Sequence, residues 1–160
     1  MSGKKTWVEK LNNSKDLPKI ISLEGKQAEK WGEGTMVIPA PIEVFEIMKM
    51  PVKGELLTIN VIRNMLALKH QTTTACPLTT GIFAWISANA SEEMKEKGET
   101  ENLIPWWRTL KGKGELNPKF PGGIEKQIQL LNDEGIEIIR KGKKFYVNNF
   151  ERYLLKELQF

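Results

Sequence analysis

The chain has 160 residues, of which 40% are hydrophobic and 28% charged, an ordinary composition for a globular protein of one domain. Its single cysteine excludes a disulfide within the chain and a zinc site built from several cysteines. The formal net charge of +4 is compatible with a polyanionic partner but too small to demonstrate one. No apolar run reaches the length of a membrane span, and the first residues lack the apolar core of a signal peptide. We therefore expect a cytoplasmic protein that has no membrane partner.

Residues 1–40 predict an N-terminal helical extension. Short helices are expected over residues 4–11 and 26–31, and the prolines that follow mark a boundary. Because the segment carries Trp7, Trp31 and several aliphatic side chains, we expect it to pack on the rest of the protein. The chain is thus divided into this extension and a domain over residues 41–160.

The start of the domain has the pattern of a helix-turn-helix. Pro41 suits the first position of one helix, and Thr58 is a suitable N-cap for the next. Residues 71–74 form a polar turn, after which Pro77 begins a third helix that we expect to reach Asn89. Two helices joined by a turn are what this motif requires, the second being the recognition helix. Helix pairs are common, so the pattern alone indicates DNA binding only weakly.

The C-terminal part predicts a helix, a β-hairpin and a final helix. The first helix covers residues 122–132 at helical apolar spacing, and the last covers residues 150–158. Between them, two alternating strands flank a basic tip that contains Lys141, Lys143 and Lys144. If this hairpin lies beside the recognition helix as a wing, the lysines neutralise phosphates. Lysines at a hairpin tip also serve solubility, so both interpretations stay open.

Four blocks of sequence carry a family resemblance. The first is Met-Pro-Val-Lys-Gly-Glu-Leu-Leu-Thr at residues 50–58, and the second is Cys-Pro-Leu-Thr-Thr-Gly at residues 76–81. The third is Pro-Trp-Trp-Arg at residues 105–108, and the fourth joins Gly122-Gly123 to residues 130–135. In order and spacing they resemble the MGMT, or alkylguanine-DNA alkyltransferase, family. The match is to its alkyltransferase-like subgroup, in which tryptophan replaces the acceptor cysteine of Pro-Cys-His-Arg.

The resemblance implies an α+β fold, the winged-helix-like (helix-turn-helix) C-terminal domain of the alkyltransferases. In the family the cysteine accepts an alkyl group from guanine and the histidine helps make it a thiolate. Here Trp106 and Trp107 stand at those two positions. Indole has no comparable nucleophile, so the resemblance implies a double-stranded DNA partner, alkylated DNA included, without alkyltransferase activity and without a cofactor or metal.

Two further family positions are also changed. The family arginine that fills the gap left by a flipped base falls on Gly81, and the tyrosine that presses on the flipped nucleotide's phosphate falls on Ile59. Duplex binding does not depend on these groups, whereas base flipping costs a few kcal/mol and loses their help. The alternative function is therefore a protein-interaction module without DNA binding, in which the N-terminal extension contacts a partner.

The Pro-Trp-Trp-Arg block supplies the first candidate site residues. Trp106 and Trp107 are expected either to stack on a base, worth about 1–3 kcal/mol, or to fill the core. Adjacent residues of an extended segment point in opposite directions, which favours one pocket-facing ring and one buried ring. Arg108 suits either a phosphate or a structural ion pair with Glu134, the carboxylate that steadies the family histidine, and we favour the ion pair.

The two helices of the predicted helix-turn-helix supply further candidates. Thr58, Thr79 and Thr80 lie at predicted helix N-termini, where hydroxyls and free N–H groups suit phosphate oxygens, although ordinary capping is an equal alternative. By resemblance Leu78 and Gly81 belong to the same DNA-facing surface. Cys76 is a weak candidate nucleophile, since a lone cysteine is usually an inert packing residue.

Overall fold

Six α-helices and seven short strands alternate along residues 4–156, the part of the chain that this computed structural model describes. The helices are α1 (Trp7–Asn12), α2 (Lys26–Trp31), α3 (Pro41–Met48), α4 (Ile59–His70), α5 (Pro77–Glu96) and α6 (Gly123–Asp133). The strands are β1 (Lys19–Leu23), β2 (Gly34–Ile38), β3 (Leu57–Thr58), β4 (Thr74–Ala75), β5 (Thr109–Leu110), β6 (Ile138–Lys141) and β7 (Lys144–Val147). Short 3₁₀ turns lie at Trp106–Arg108, Gly112–Gly114 and Phe150–Tyr153. None of these helices is long and apolar enough to cross a membrane.

The three central helices begin where the sequence predicts. Pro41 and Pro77 open α3 and α5, and the Thr58 hydroxyl accepts a hydrogen bond from the Val61 N–H at 3.2 Å at the start of α4. Helix α5 continues past the predicted end at Asn89 because its last turns still have a buried side. There the buried Ser91 hydroxyl accepts a hydrogen bond from the Ile104 N–H at 3.0 Å.

The N-terminal segment contains two strands that were not predicted. Helices α1 and α2 are present, but β1 pairs antiparallel with β2, and β2 pairs in parallel with β4 of the helix-turn-helix region. The segment is therefore mixed rather than only helical. The strand β2 forms because it pairs with a strand outside the segment: Met36 and Val37 are buried where β2 pairs with β4.

Helix α1 packs on the long helix α5. The Trp7 and Trp85 rings meet edge to face at 4.8 Å, and the Glu93 carboxylate accepts hydrogen bonds from the N–H groups of Trp7 and Val8. The division of the chain at residue 40 stays a prediction.

The hydrophobic core has two parts that meet at Trp107. The larger part lies among α3, α4, α5 and the β2–β4 pair, and the smaller part lies under α6 and the hairpin. The parallel pair of β3 and β5, with Leu57 opposite Thr109, connects the start of α4 to the Pro-Trp-Trp-Arg segment. This pairing fixes that segment beside the helix-turn-helix.

The predicted last helix is wrong. Within the described residues the chain makes one 3₁₀ turn, Phe150–Tyr153, and then continues extended. Leu154 forms a parallel bridge with Leu56, and the Leu155 N–H donates to the Leu56 carbonyl at 2.8 Å. This long-range pairing replaces the helix, and the predicted end at residue 158 lies outside the described residues.

Candidate nucleic-acid interface

The turn between α4 and α5 is fixed by an arginine from α4. Arg63 Nε donates to the Ala75 carbonyl at 2.9 Å, and Nη2 donates to the Thr74 hydroxyl at 3.0 Å. Gln71 ends α4 in the left-handed region with φ 56°. These contacts hold the two helices in the order and connection of a helix-turn-helix, with α5 as the second helix.

A groove of about 540 Å³ lies along the first half of α5. We call it the α5 groove; its opposite wall is formed by Lys111, Gly112 and residues 117–119. Leu78 and Ile82 line it with 70% and 41% of their surface exposed, so two large apolar side chains, one helical turn apart, form an exposed apolar patch. Lys111 and Lys119 line the opposite wall. The groove therefore combines an apolar helix face with a basic wall.

Two altered family positions line the same groove. Both Ile59 and Gly81 are lining residues, next to Leu78 and Trp85. Among the described residues, no atom of a packing neighbour lies within 4 Å of the point where a side chain at Gly81 would begin, so the helix surface is open there. Gly81 and Ile59, where the family resemblance leads us to expect an arginine and a tyrosine, therefore lie at the same surface.

The threonine hydroxyls face the protein rather than the groove. Thr58 is buried and caps α4, while Thr80 is fully buried and donates to the Cys76 carbonyl at 2.6 Å. The Thr79 hydroxyl is buried too and has no hydrogen-bond partner among the described residues. The expected phosphate contacts through these hydroxyls do not fit this geometry, because each hydroxyl is turned inward.

Trp106 is part of the core. Its side chain is 1% exposed, its Nε1–H donates to a Glu92 carboxylate oxygen at 3.1 Å, and its ring meets Phe120 edge to face at 5.9 Å. Trp107 is half-buried, with its ring plane at 86° to that of Trp106. Trp106 is therefore the buried ring and Trp107 is the ring at a cleft surface, while stacking of Trp107 on a base stays a prediction.

Glu134 holds the Pro-Trp-Trp-Arg segment in place. Its carboxylate accepts from Arg108 Nε at 2.8 Å, from Trp107 Nε1 at 2.7 Å and from the Gly54 N–H at 3.0 Å. Burial raises the pKa of this carboxyl, but the hydrogen bonds from Trp107, Gly54 and Arg108 outweigh burial and hold the pKa below its ordinary value. Arg108 also donates to the Pro51 carbonyl at 2.8 Å. Arg108 therefore forms the favoured structural ion pair, and a phosphate contact by its remaining N–H groups stays a prediction.

Gln127 is a supporting residue that sequence reasoning missed. It is fully buried, accepts from the Asn117 N–H at 2.9 Å and donates to the carbonyls of Trp107 and Thr109 at 3.1 and 3.2 Å. It ties α6 to the basic wall of the α5 groove and to the Pro-Trp-Trp-Arg segment. The sequence does contain an indication of this role, because Gln127 lies on the same face of α6 as the apolar Ile124, Ile128 and Leu131.

The hairpin lies behind the basic wall of the groove. The Leu116 N–H donates to the Phe145 carbonyl at 2.9 Å, and the backbones of Glu115 and Tyr146 form an antiparallel β-bridge. Lys141, Lys143 and Lys144 are exposed, and Lys144 Nζ lies 4.0 Å from a Glu115 oxygen. Contact of these lysines with DNA stays a prediction.

His70, the single histidine of the sequence, lies beside a carboxylate. His70 Nε2 lies 2.6 Å from the buried Glu43 carboxylate, which also accepts from Lys69 Nζ at 2.7 Å. Cys76 is the N-cap residue of α5. Among residues 4–156 no group of three or more histidine, cysteine or acidic side chains is placed to hold a metal ion.

The fold is similar to that of two crystal structures from S. pombe. One is Atl1 in complex with damaged DNA that contains O6-carboxymethylguanine, with a TM-score of 0.50 and 19% identity. The other is ATL in complex with DNA, with a TM-score of 0.51 and 18% identity. Each alignment covers 72% of this chain and 94% of the S. pombe chain. No protein-family model and no curated protein matches the sequence. The two structures confirm the predicted alkyltransferase-like fold.

Proposed function

We propose that this chain is a non-catalytic DNA-binding protein that recognises alkylated guanine in duplex DNA through the α5 groove. The observation that carries the proposal is the pair of exposed apolar side chains, Leu78 and Ile82, on the first turns of the recognition helix. They face Lys111 and Lys119 across the groove. Lysines suit phosphates, and an apolar helix face suits base edges and an added alkyl group.

The fold supports the DNA partner. The S. pombe protein of similar fold was crystallised with damaged DNA, and in this chain α4, a short turn and α5 follow one another as a helix-turn-helix requires. In this chain the free N–H groups at the start of α5 lie beside the groove, where they suit a backbone phosphate. We therefore assign the groove to the duplex and α5 to the recognition helix.

The absence of alkyl transfer follows from the residue at the acceptor position. Trp106 is buried and offers no thiol, and Trp107 offers no base. A protein of this kind binds the lesion and leaves its removal to other DNA repair factors. A cytoplasmic location and a protein partner of the N-terminal segment stay predictions from the sequence.

The proposal is tested by placing a charge in the groove. Leu78→Asp puts a carboxylate on the exposed apolar face, and we expect it to weaken duplex binding at least about tenfold in a fluorescence-anisotropy titration. Leu68→Asp is the matched control, since Leu68 is 48% exposed on α4 and does not line the groove. Equal effects of the two variants on duplex binding would show that the α5 groove is not part of the DNA interface. No binding of wild-type protein would favour a protein-interaction module instead.

A further inference from the structure

A second cleft lies at the other end of α5 and is not used by the proposed function. We call it the lysine cleft; its volume is about 460 Å³, and it is open to solvent rather than enclosed. It is lined by Lys49, Val52, Lys53, Lys95 and Trp107, among others. Along the helix, Lys95 lies about 20 Å from Ile82 of the α5 groove, given the rise per residue of an α-helix. The two surfaces are therefore separate.

The floor of the lysine cleft is rigid. Trp107 is held by its hydrogen bond to Glu134, and Arg108 is held by Glu134 and by the Pro51 carbonyl. Ser91 fixes the neighbouring Ile104 through its buried hydroxyl. A surface already fixed in this way loses little conformational entropy when a ligand binds.

The rim of the cleft is cationic. Lys49, Lys53 and Lys95 come from three places: the end of α3, the loop after it and the last turns of α5. Lys49 lies 3.4 Å from a Glu46 oxygen, whereas neither Lys53 nor Lys95 has an ion pair with any of residues 4–156. The one carboxylate lining the cleft, Glu92, already accepts from the Trp106 indole. Positive charge is therefore in excess.

Apolar surface accompanies this charge. Val52 is 62% exposed at the cleft, and Leu103 and Trp107 are half-buried in its lining. We infer that the lysine cleft binds an acidic peptide segment of a partner protein. One apolar side chain of the peptide contacts Trp107 and Leu103. The carboxylates of the peptide form ion pairs with Lys53 and Lys95. An open cleft with charges spread around its rim suits a chain lying across it, whereas a small molecule is usually enclosed.

The test uses a labelled probe peptide, acetyl-Asp-Glu-Asp-Phe-Asp-Glu-Asp-amide, titrated with the full chain and followed by anisotropy. We expect saturable binding that weakens at least about tenfold in the double variant Lys53→Glu and Lys95→Glu. The control is Lys26→Glu with Lys30→Glu, which changes the net charge equally at exposed residues of α2. We also expect a probe with serine in place of phenylalanine to bind at least about fivefold more weakly.

Several results would overturn the inference. These are no binding of the probe to wild-type protein, equal losses in the two double variants, or an equal affinity of the serine probe. DNA binding is measured on the same proteins, and the cleft variant should bind the duplex as well as the control does. A larger loss of duplex binding in the cleft variant would assign these lysines to DNA. Failure of wild-type duplex binding would instead contradict the proposed function and leave the cleft untouched.

Discussion

Glu134 is the single residue on which the Pro-Trp-Trp-Arg segment most depends. Its carboxylate is 7% exposed and joins the neighbouring Trp107 and Arg108 to the Gly54 backbone, which lies in a distant part of the chain. The sequence predicted the ion pair with Arg108 from the family resemblance. The contacts to Trp107 and Gly54 were not predictable, because they depend on how distant segments pack.

Glu134→Gln should destabilise the protein in a pH-dependent way. Because the folded-state pKa lies below the ordinary value of 4.5, the ionised carboxylate stabilises the fold above that pH. This stabilisation is lost as the pH falls from 4.5 through the lower folded-state pKa. We expect the variant to lose about 3 kcal/mol at neutral pH, the cost of breaking a buried ion pair. Urea unfolding across the pH range measures the difference.

The control for this change is Glu99→Gln, since Glu99 is exposed. It should unfold like wild type at every pH. A gap between wild type and Glu134→Gln that stays constant down to pH values well below 4.5 would contradict the assignment.

Helices were predicted better than strands because their signals are local. Pro41, Thr58 and Pro77 mark helix starts through their own backbone and side-chain chemistry. By contrast, β2 pairs with β4 and β3 pairs with β5 across long stretches of sequence. The pairings of β2 with β4 and of Leu154 with Leu56 depend on distant partners and leave no local signal, so β2 and the extended C-terminal end were missed.

The same limit applies to the two adjacent tryptophans. Alternation in an extended segment predicted one pocket-facing ring and one buried ring, without saying which, whereas residues 106–108 form a 3₁₀ turn. The choice depends on Glu92, which lies on the last turns of α5 and accepts from the Trp106 indole. A helix predicted to stop at Asn89 gave no reason to consider that carboxylate.

Helix α5 offers a gain-of-function variant at Gly81. Its Cβ position is open, so Gly81→Arg should fit and add a positive charge beside Leu78. We expect duplex affinity to rise about three- to tenfold at low salt and less at moderate salt. Gly81→Ala is the matched control, because it removes the helix penalty of glycine, about 1 kcal/mol, without adding charge.

Anisotropy titrations and thermal melts separate the two effects. Both variants should melt higher than wild type, and only the arginine variant should bind DNA more tightly. Unchanged duplex affinity in Gly81→Arg would show that this face of α5 does not meet the duplex.

The hairpin tip is the second element whose role is measurable. If Lys141, Lys143 and Lys144 contact phosphates, changing all three to alanine should weaken binding and flatten its salt dependence. The control replaces Lys15, Lys26 and Lys30, which are exposed in the N-terminal segment. Retained affinity and an unchanged salt slope in the hairpin variant would mean that the hairpin serves as support for the groove wall.

Across the whole molecule, α5 connects two surfaces of different chemistry. Its first turns present Leu78 and Ile82 to the α5 groove, and its last turns contribute Lys95 to the lysine cleft. Between them, buried Ser87, Ala88 and Ser91 keep the helix packed in the core. A single rigid helix can thus hold a DNA-binding face and a partner-binding face at a fixed separation.

At the scale of the whole molecule, we propose a protein that binds alkylated DNA without repairing it. The most direct measurement is a titration of two labelled duplexes, one with a single O6-alkylguanine and one with guanine, at low and moderate salt. After incubation with the alkylated duplex, mass spectrometry of the protein shows whether an alkyl group has been transferred to it. We expect salt-sensitive binding to both duplexes, tighter binding to the alkylated one and an unchanged protein mass. No binding to either duplex, or a mass increase equal to one alkyl group, would contradict the proposal.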